Sequence, residues 1–130
     1  MSADNGIYIL KTKDQYRVIY AQAIENLYWN PLDESSFDKL IPTRIVEYYG
    51  KSKYTHNKDI VRDIAFNMAR KTPVLEYGVR EIIIDKTWKQ IVKEAKEQAL
   101  LEMEHIEYVK KNSGGNWNYE VSKLEEIINM

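Results

Sequence analysis

Between Thr87 and Lys111 the chain carries its most constraining pattern. Trp88, Val92, Ala95, Ala99, Met103 and Ile106 follow one another at spacings of 4, 3, 4, 4 and 3. A helix repeats every 3.6 residues, so these positions share one face. A helix of this length spans about 37 Å, at about 1.5 Å per residue. That exceeds the core width of a small domain, and the seam is narrow, of the kind that pairs helices. Part of it is therefore expected to pack on a partner. Ser113-Gly114-Gly115 breaks the run. Asn118 to Ile128 then resumes a helical pattern with Val121, Leu124, Ile127 and Ile128 apolar. The two segments predict a long C-terminal helical hairpin, folded back on the body or reaching across a dimer.

The N-terminal part reads differently. Asp4-Asn5-Gly6 looks like a turn leading into an apolar run, because Asn and Gly tolerate positive φ. A strand is expected from Gly6 to Thr12, with Ile7 and Ile9 on one face and Tyr8 and Leu10 on the other. A second, Tyr16 to Ala21, follows a short polar connection, and the two should pair as an antiparallel hairpin. Gln22 to Trp29 suits a short helix stopped by Asn30-Pro31, and Leu32 to Pro42 a polar loop. Thr43 to Tyr49 suits either a short helix capped by Thr43 or a strand. Asp59 to Arg70 is a helix with Ile60, Val61, Ile64, Ala65 and Met68 apolar. Thr55 or Asn57 can cap its start, and Asp59 and Arg70 match its dipole. Val74 to Ile84 reads as a third strand, with Gly78 marking a bulge or close approach. The whole is α+β: a small antiparallel sheet from the N-terminal hairpin plus a later strand, helices on one side, and the helical hairpin. Residues 1–130 form a single domain, with a sheet-and-helix body at 1–86 and an oligomerising arm at 87–130.

Composition narrows the function. A net charge of −1 argues against bulk binding of a nucleic acid polymer, which needs a positive field. The absence of cysteine excludes disulfides, thiol catalysis and thiolate metal sites. No apolar run reaches the roughly 20 residues of a membrane span, and the first residues lack a signal-type core. These features predict a soluble, cytoplasmic protein. Ten tyrosines stand against two phenylalanines. Tyrosine suits wet interfaces and ligand pockets, but AT-rich codon usage gives the same bias, so the count does not decide.

Chemistry-bearing motifs are few. Glu102 and His105 form an E-x-x-H on one helical face, but a di-iron bundle needs that motif twice plus two further carboxylates. His56 lies before a helix start, where free N–H groups suit a phosphate but plain capping serves equally. No phosphate loop, dinucleotide fingerprint or nucleophile elbow occurs. The expectation is a binding protein, not an enzyme, with no cofactor and no metal. Five arginines (Arg17, Arg44, Arg62, Arg70 and Arg80) stand among fourteen lysines. Their planar forks suit phosphate, and nearby rings suit a base. Exposed sheet arginines balanced by Glu76 and Glu81 would look the same.

The stretch Asp4 to Leu10 (DNGIYIL), followed by Tyr16 to Trp29 (YRVIYAQAIENLYW), resembles the Thoeris anti-defence family of bacteriophages. The resemblance returns more weakly at Pro73 to Arg80. It implies an N-terminal sheet, long C-terminal helices that drive oligomers, and pockets between subunits. It also implies a role: sequestering a cyclic ADP-ribose-type immune signal without cleaving it, in the host cytoplasm. Unlike the basic pockets of that family, the C-terminal segments here hold Lys but no Arg. On this reading Arg70 and Arg80 take phosphates, Tyr77 stacks on the base, and Asn57 bonds an edge or a ribose. The alternative is a phage inhibitor that docks on a host protein through its helical hairpin.

Overall fold

The computed structural model describes residues 5–22 and 41–130. Strand β1 (Asn5–Lys11) and strand β2 (Tyr16–Gln22) form the expected antiparallel hairpin, with Ile7 opposite Tyr20 and Ile9 opposite Val18. Its tip is stitched by Thr12, whose N–H donates to the Gln15 carbonyl at 3.0 Å. Helix α1 (Pro42–Tyr49) resolves the ambiguous stretch as a helix. Pro42 suits the first turn, where its missing N–H costs nothing, and Ile45, Val46 and Tyr49 bury one helical face. Thr43 is inside the helix and does not cap it. A two-residue strand β3 (Tyr54–Thr55), absent from the sequence-based expectation, pairs with β2. Helix α2 (Lys58–Arg70), strand β4 (Val79–Ile83), helix α3 (Trp88–Ser113) and helix α4 (Asn118–Ile128) complete the described chain. The helix expected at Gln22 to Trp29 and the loop at Leu32 to Pro42 fall mostly outside the described residues; Gln22 itself closes β2.

The α+β class, the hairpin and the C-terminal helical pair are as expected, but the sheet is mixed. Its order is β3-β2-β1-β4, and β4 runs parallel to β1. The cause lies at Asn5, which is buried. Its side chain donates to the Val74 carbonyl at 2.8 Å and accepts from the Glu76 N–H at 3.0 Å, and its carbonyl takes the Tyr77 N–H at 2.9 Å. The returning chain is thus clasped beside the start of β1 and must leave in the same direction. Residues 74–77 are spent in this clasp, so β4 is shorter than the strand expected from Val74. Gly78 has a φ of +65° with nothing within 4 Å of a would-be Cβ. It turns the chain, and its carbonyl accepts the Ile7 N–H of β1 at 2.9 Å, while no neighbour crowds the place of a Cβ. Asn5 and Gly6 belong to β1 and form no turn. Gly6 is small because the Tyr8 ring would lie 2.9 Å from a Cβ there.

The helices cover both sides of the sheet, not one. Central β1 is apolar on both faces, so each face needs a cover. Ile7, Ile9 and Val18 pack on Val61 and Ala65 of α2. Tyr8, Leu10 and Ile82 pack on the opposite layer, built from α1, α3 and α4. The seam of α3 is filled within the chain, so packing of part of the helix on a partner would have to use its other faces. Ala95, Ala99 and Ile106 are buried, and Trp88, Val92 and Met103 pack against the same core. The small Ala95 and Ala99 sit fully buried in the core shared with α1 and α4. α4 then folds back antiparallel, so that Lys96 Nζ donates to the main-chain oxygen of Met130.

Candidate functional site

Where α1, α3 and α4 meet, the side chains they turn outward enclose a groove of two adjoining cavities. One is about 530 Å³ and the other about 510 Å³, and Arg44, Glu47, Glu102 and Lys123 line both. Each helix contributes a pair at one-turn spacing: Arg44 and Glu47, Glu102 and His105, Tyr119 and Lys123. Lys51 and Glu126 line the first cavity, and Glu120 the second.

The centre of the groove is one carboxylate held by two cations. Lys123 Nζ lies 2.6 Å from Glu47 Oε1, and an Arg44 terminal nitrogen lies 2.8 Å from Glu47 Oε2. Partial burial pushes the Glu47 carboxyl up, but the bonds from Lys123 and Arg44 outweigh it and hold the group below its ordinary range. The same bond from Glu47, then one with Tyr119, raises Lys123. The Lys123 ammonium also sits 4.7 Å from the centre of the Tyr119 ring, whose outer side is exposed. Glu102 has no cation within 4 Å among the described residues. The groove wall removes enough water to raise its carboxyl, an effect only partly offset by Arg44. The groove therefore offers cations for an anionic group, carboxylates for donors, and a ring face for stacking.

The four residues singled out from sequence lie elsewhere. Asn57 caps α2, its side-chain oxygen accepting from the Asp59 N–H at 2.8 Å. Arg70 ends the same helix, bonds Asn67 at 2.8 Å and covers Phe66. Thirteen helical residues put the two about 20 Å apart. Tyr77 and Arg80 do come together: the guanidinium lies 4.9 Å from the ring centre and donates to the Tyr77 carbonyl. None of the four lines the groove. In the sequence, Arg44 stands out only as one of five arginines, and Glu102 and His105 only as a motif. Nothing there signals that Glu47, Tyr119 and Lys123 join them, since each pair alone reads as a solvated helix face.

A second arrangement concerns Arg17, which is buried on the α1 side of β2. It donates to Gln15 Oε1 at 2.6 Å and to the carbonyls of Tyr49 and Ser52 at 3.1 and 3.0 Å. Its guanidinium stacks 3.8 Å from the Trp88 ring centre, with Tyr54 at 5.2 Å. These bonds bind the end of α1 to the sheet, a structural task. Beside it, Asp14 accepts the Trp88 N–H at 3.0 Å and His56 Nδ1 meets the Asp14 carbonyl at 2.5 Å. Among the described residues no three His, Asp or Glu side chains converge as metal ligands, and no helix is long and apolar enough to cross a membrane. Compared with known proteins, the chain matches no family model, no curated protein and no solved structure.

Proposed function

We propose that this protein is a phage anti-defence sponge. It binds a nucleotide immune signal of the cyclic ADP-ribose type and holds it without cleaving it, in the host cytoplasm. The observation that carries this reading is the convergence of Arg44 and Lys123, from two different helices, beside the exposed Tyr119 ring in a two-lobed groove. Phosphate goes to the cations, the base to the ring, and the ribose or base donors to Glu102. The resemblance of the DNGIYIL and YRVIYAQAIENLYW segments supports the same role. A sponge acts by stoichiometry, so affinity must be high; a 10 nM complex needs about −11 kcal/mol. Assembly into a homo-oligomer belongs to this reading, because the resemblance implies pockets between subunits.

The test mixes purified protein with glycocyclic ADP-ribose, filters it, then heats the retained fraction and chromatographs what is released. Intact ligand missing from the filtrate and recovered on heating is the expected result. Free ligand in the filtrate removes this nucleotide as the target, and altered products mean an enzyme. A second reading has its own observation. Leu101 and Tyr108 lie on the side of α3 away from the seam, each two-thirds exposed. On this reading a host protein docks there: it is captured by the wild type and lost with L101K/Y108K, and the nucleotide stays free in the filtrate with either form.

A further inference from the structure

We infer that Glu47 is a built-in stand-in for the anionic group of the groove's ligand, occupying the position that a diphosphate takes on binding. The inference rests on the nucleotide reading above and names what the groove recognises.

Three observations lead to it. Arg44 and Lys123 come from different helices and, among the described residues, have no ion pair other than the one each makes with Glu47. Each carboxylate oxygen serves one of them, at 2.8 and 2.6 Å, so the group bridges the two cations as two phosphate oxygens would. The bridge stands in the wall shared by both cavities. A ligand that fills both lobes must therefore pass it. Glu47 also has somewhere to go. Lys51 lies four residues on, lines the same cavity, and makes no ion pair among the described residues. Residues four apart share a helical face, and the turn continues past α1 because the Gly50 N–H bonds the Val46 carbonyl at 2.8 Å. Swung outward, the carboxylate exchanges its two partners for Lys51. The depressed Glu47 and raised Lys123 pKa values agree with a strongly held pair.

The arrangement sets a filter. A lone carboxylate or chloride gains nothing by replacing Glu47 with a group of equal or lower charge. A diphosphate brings more charge and more acceptors, so it displaces the carboxylate at a net gain. Between ligands, Glu47 keeps two cations from facing each other unshielded.

The experiment is calorimetric titration of inorganic pyrophosphate into wild type, E47Q, E126Q and E47Q/K123M. E47Q should bind about tenfold more tightly than wild type, since an internal competitor with charged hydrogen bonds is gone. E126Q removes the same charge from the groove but no bond to either cation, and should gain about twofold or less. K123M should cancel the gain of E47Q. Equal gains for E47Q and E126Q, or no gain for E47Q, would overturn the inference. A carboxyl-carbon NMR titration of the unaltered protein answers the same question without a substitution. Pyrophosphate should move the Glu47 resonance and leave Glu126 in place, and an unmoved Glu47 resonance at saturation rejects the displacement. Tight pyrophosphate binding by E47Q, with no uptake of cyclic ADP-ribose by any variant, would sink the nucleotide reading while keeping the stand-in.

Discussion

Arg17 brings a charge into the interior without an ion pair among the described residues, Asp14 acting on it only at longer range. Burial lowers its pKa, yet the guanidinium stays charged because its ordinary value is so high. The charge is balanced by carbonyls at the C-terminal end of α1, where the helix dipole is negative. R17M takes the charged donor from the Tyr49 and Ser52 carbonyls, of which Tyr49 keeps the Ser52 N–H and hydroxyl, and should cost about 1–3 kcal/mol in urea unfolding. R17K should recover only part of this, because an ammonium lacks the fork and the flat face that Trp88 covers. Glu47 governs the response to acid. Its folded pKa lies below the unfolded one, so its contribution is present above about pH 4.3 and is lost as pH falls through the folded value. Asp14 titrates in the same direction: slight burial raises it, but the Trp88 N–H and the Thr12 hydroxyl outweigh that. Melting temperatures from pH 7 to pH 3 should therefore fall less steeply for E47Q than for wild type. Glu102 has the opposite sign: its raised pKa makes stability fall as pH rises through it, so E102Q should hold or raise the melting temperature at pH 7.

At the scale of elements, α3 organises the layer that builds the groove. Its start is fixed by a capping box: the Thr87 hydroxyl accepts the Gln90 N–H at 3.1 Å, and Gln90 accepts the Thr87 N–H at 2.8 Å. Asp14 adds a third bond from the hairpin tip, to the Trp88 N–H. The body of α3 is placed by its smallest residues. Ala95 and Ala99 are fully buried in the core that α3 shares with α1 and α4, where their lack of side-chain bulk favours close packing. A99L inserts volume where none is free and should cost about 1–3 kcal/mol. It should also spread α1 from α3, so the loss of ligand uptake should exceed that expected from stability alone. Denaturant unfolding and the filtration assay, run on one preparation, separate the two effects.

For the whole molecule, the question is what the outer side of α3 is for. Leu100, Leu101 and Tyr108 are exposed, while the seam on the other side is satisfied internally. Contact between copies, if it runs along α3, must then use this outer side. L101K/Y108K should shift the protein to a smaller species in light scattering without lowering its melting temperature, since neither side chain packs in the core. A simultaneous loss of ligand uptake would mean that a neighbouring copy completes the groove. Retained uptake would make each chain a complete binding unit.

Much of this architecture was legible along the chain. The α3 seam, the α2 boundaries, the β1–β2 pairing and the break at Gly114 all follow from periodicity and capping, which depend on residues a few positions apart. The two-faced apolar pattern of β1 is legible too, while which helices cover its two faces depends on the folded chain. Other features depend on contacts that sequence order does not express. Asn5 clasps Val74, 69 positions away, and that contact makes the sheet mixed. Lys123 reaches Glu47 across 76 positions, and that contact makes a groove from three faces that each read as ordinary solvated helix. Local order is set by backbone geometry and neighbouring side chains. The site is set by which surfaces the folded core brings together, so only the tertiary structure could place it.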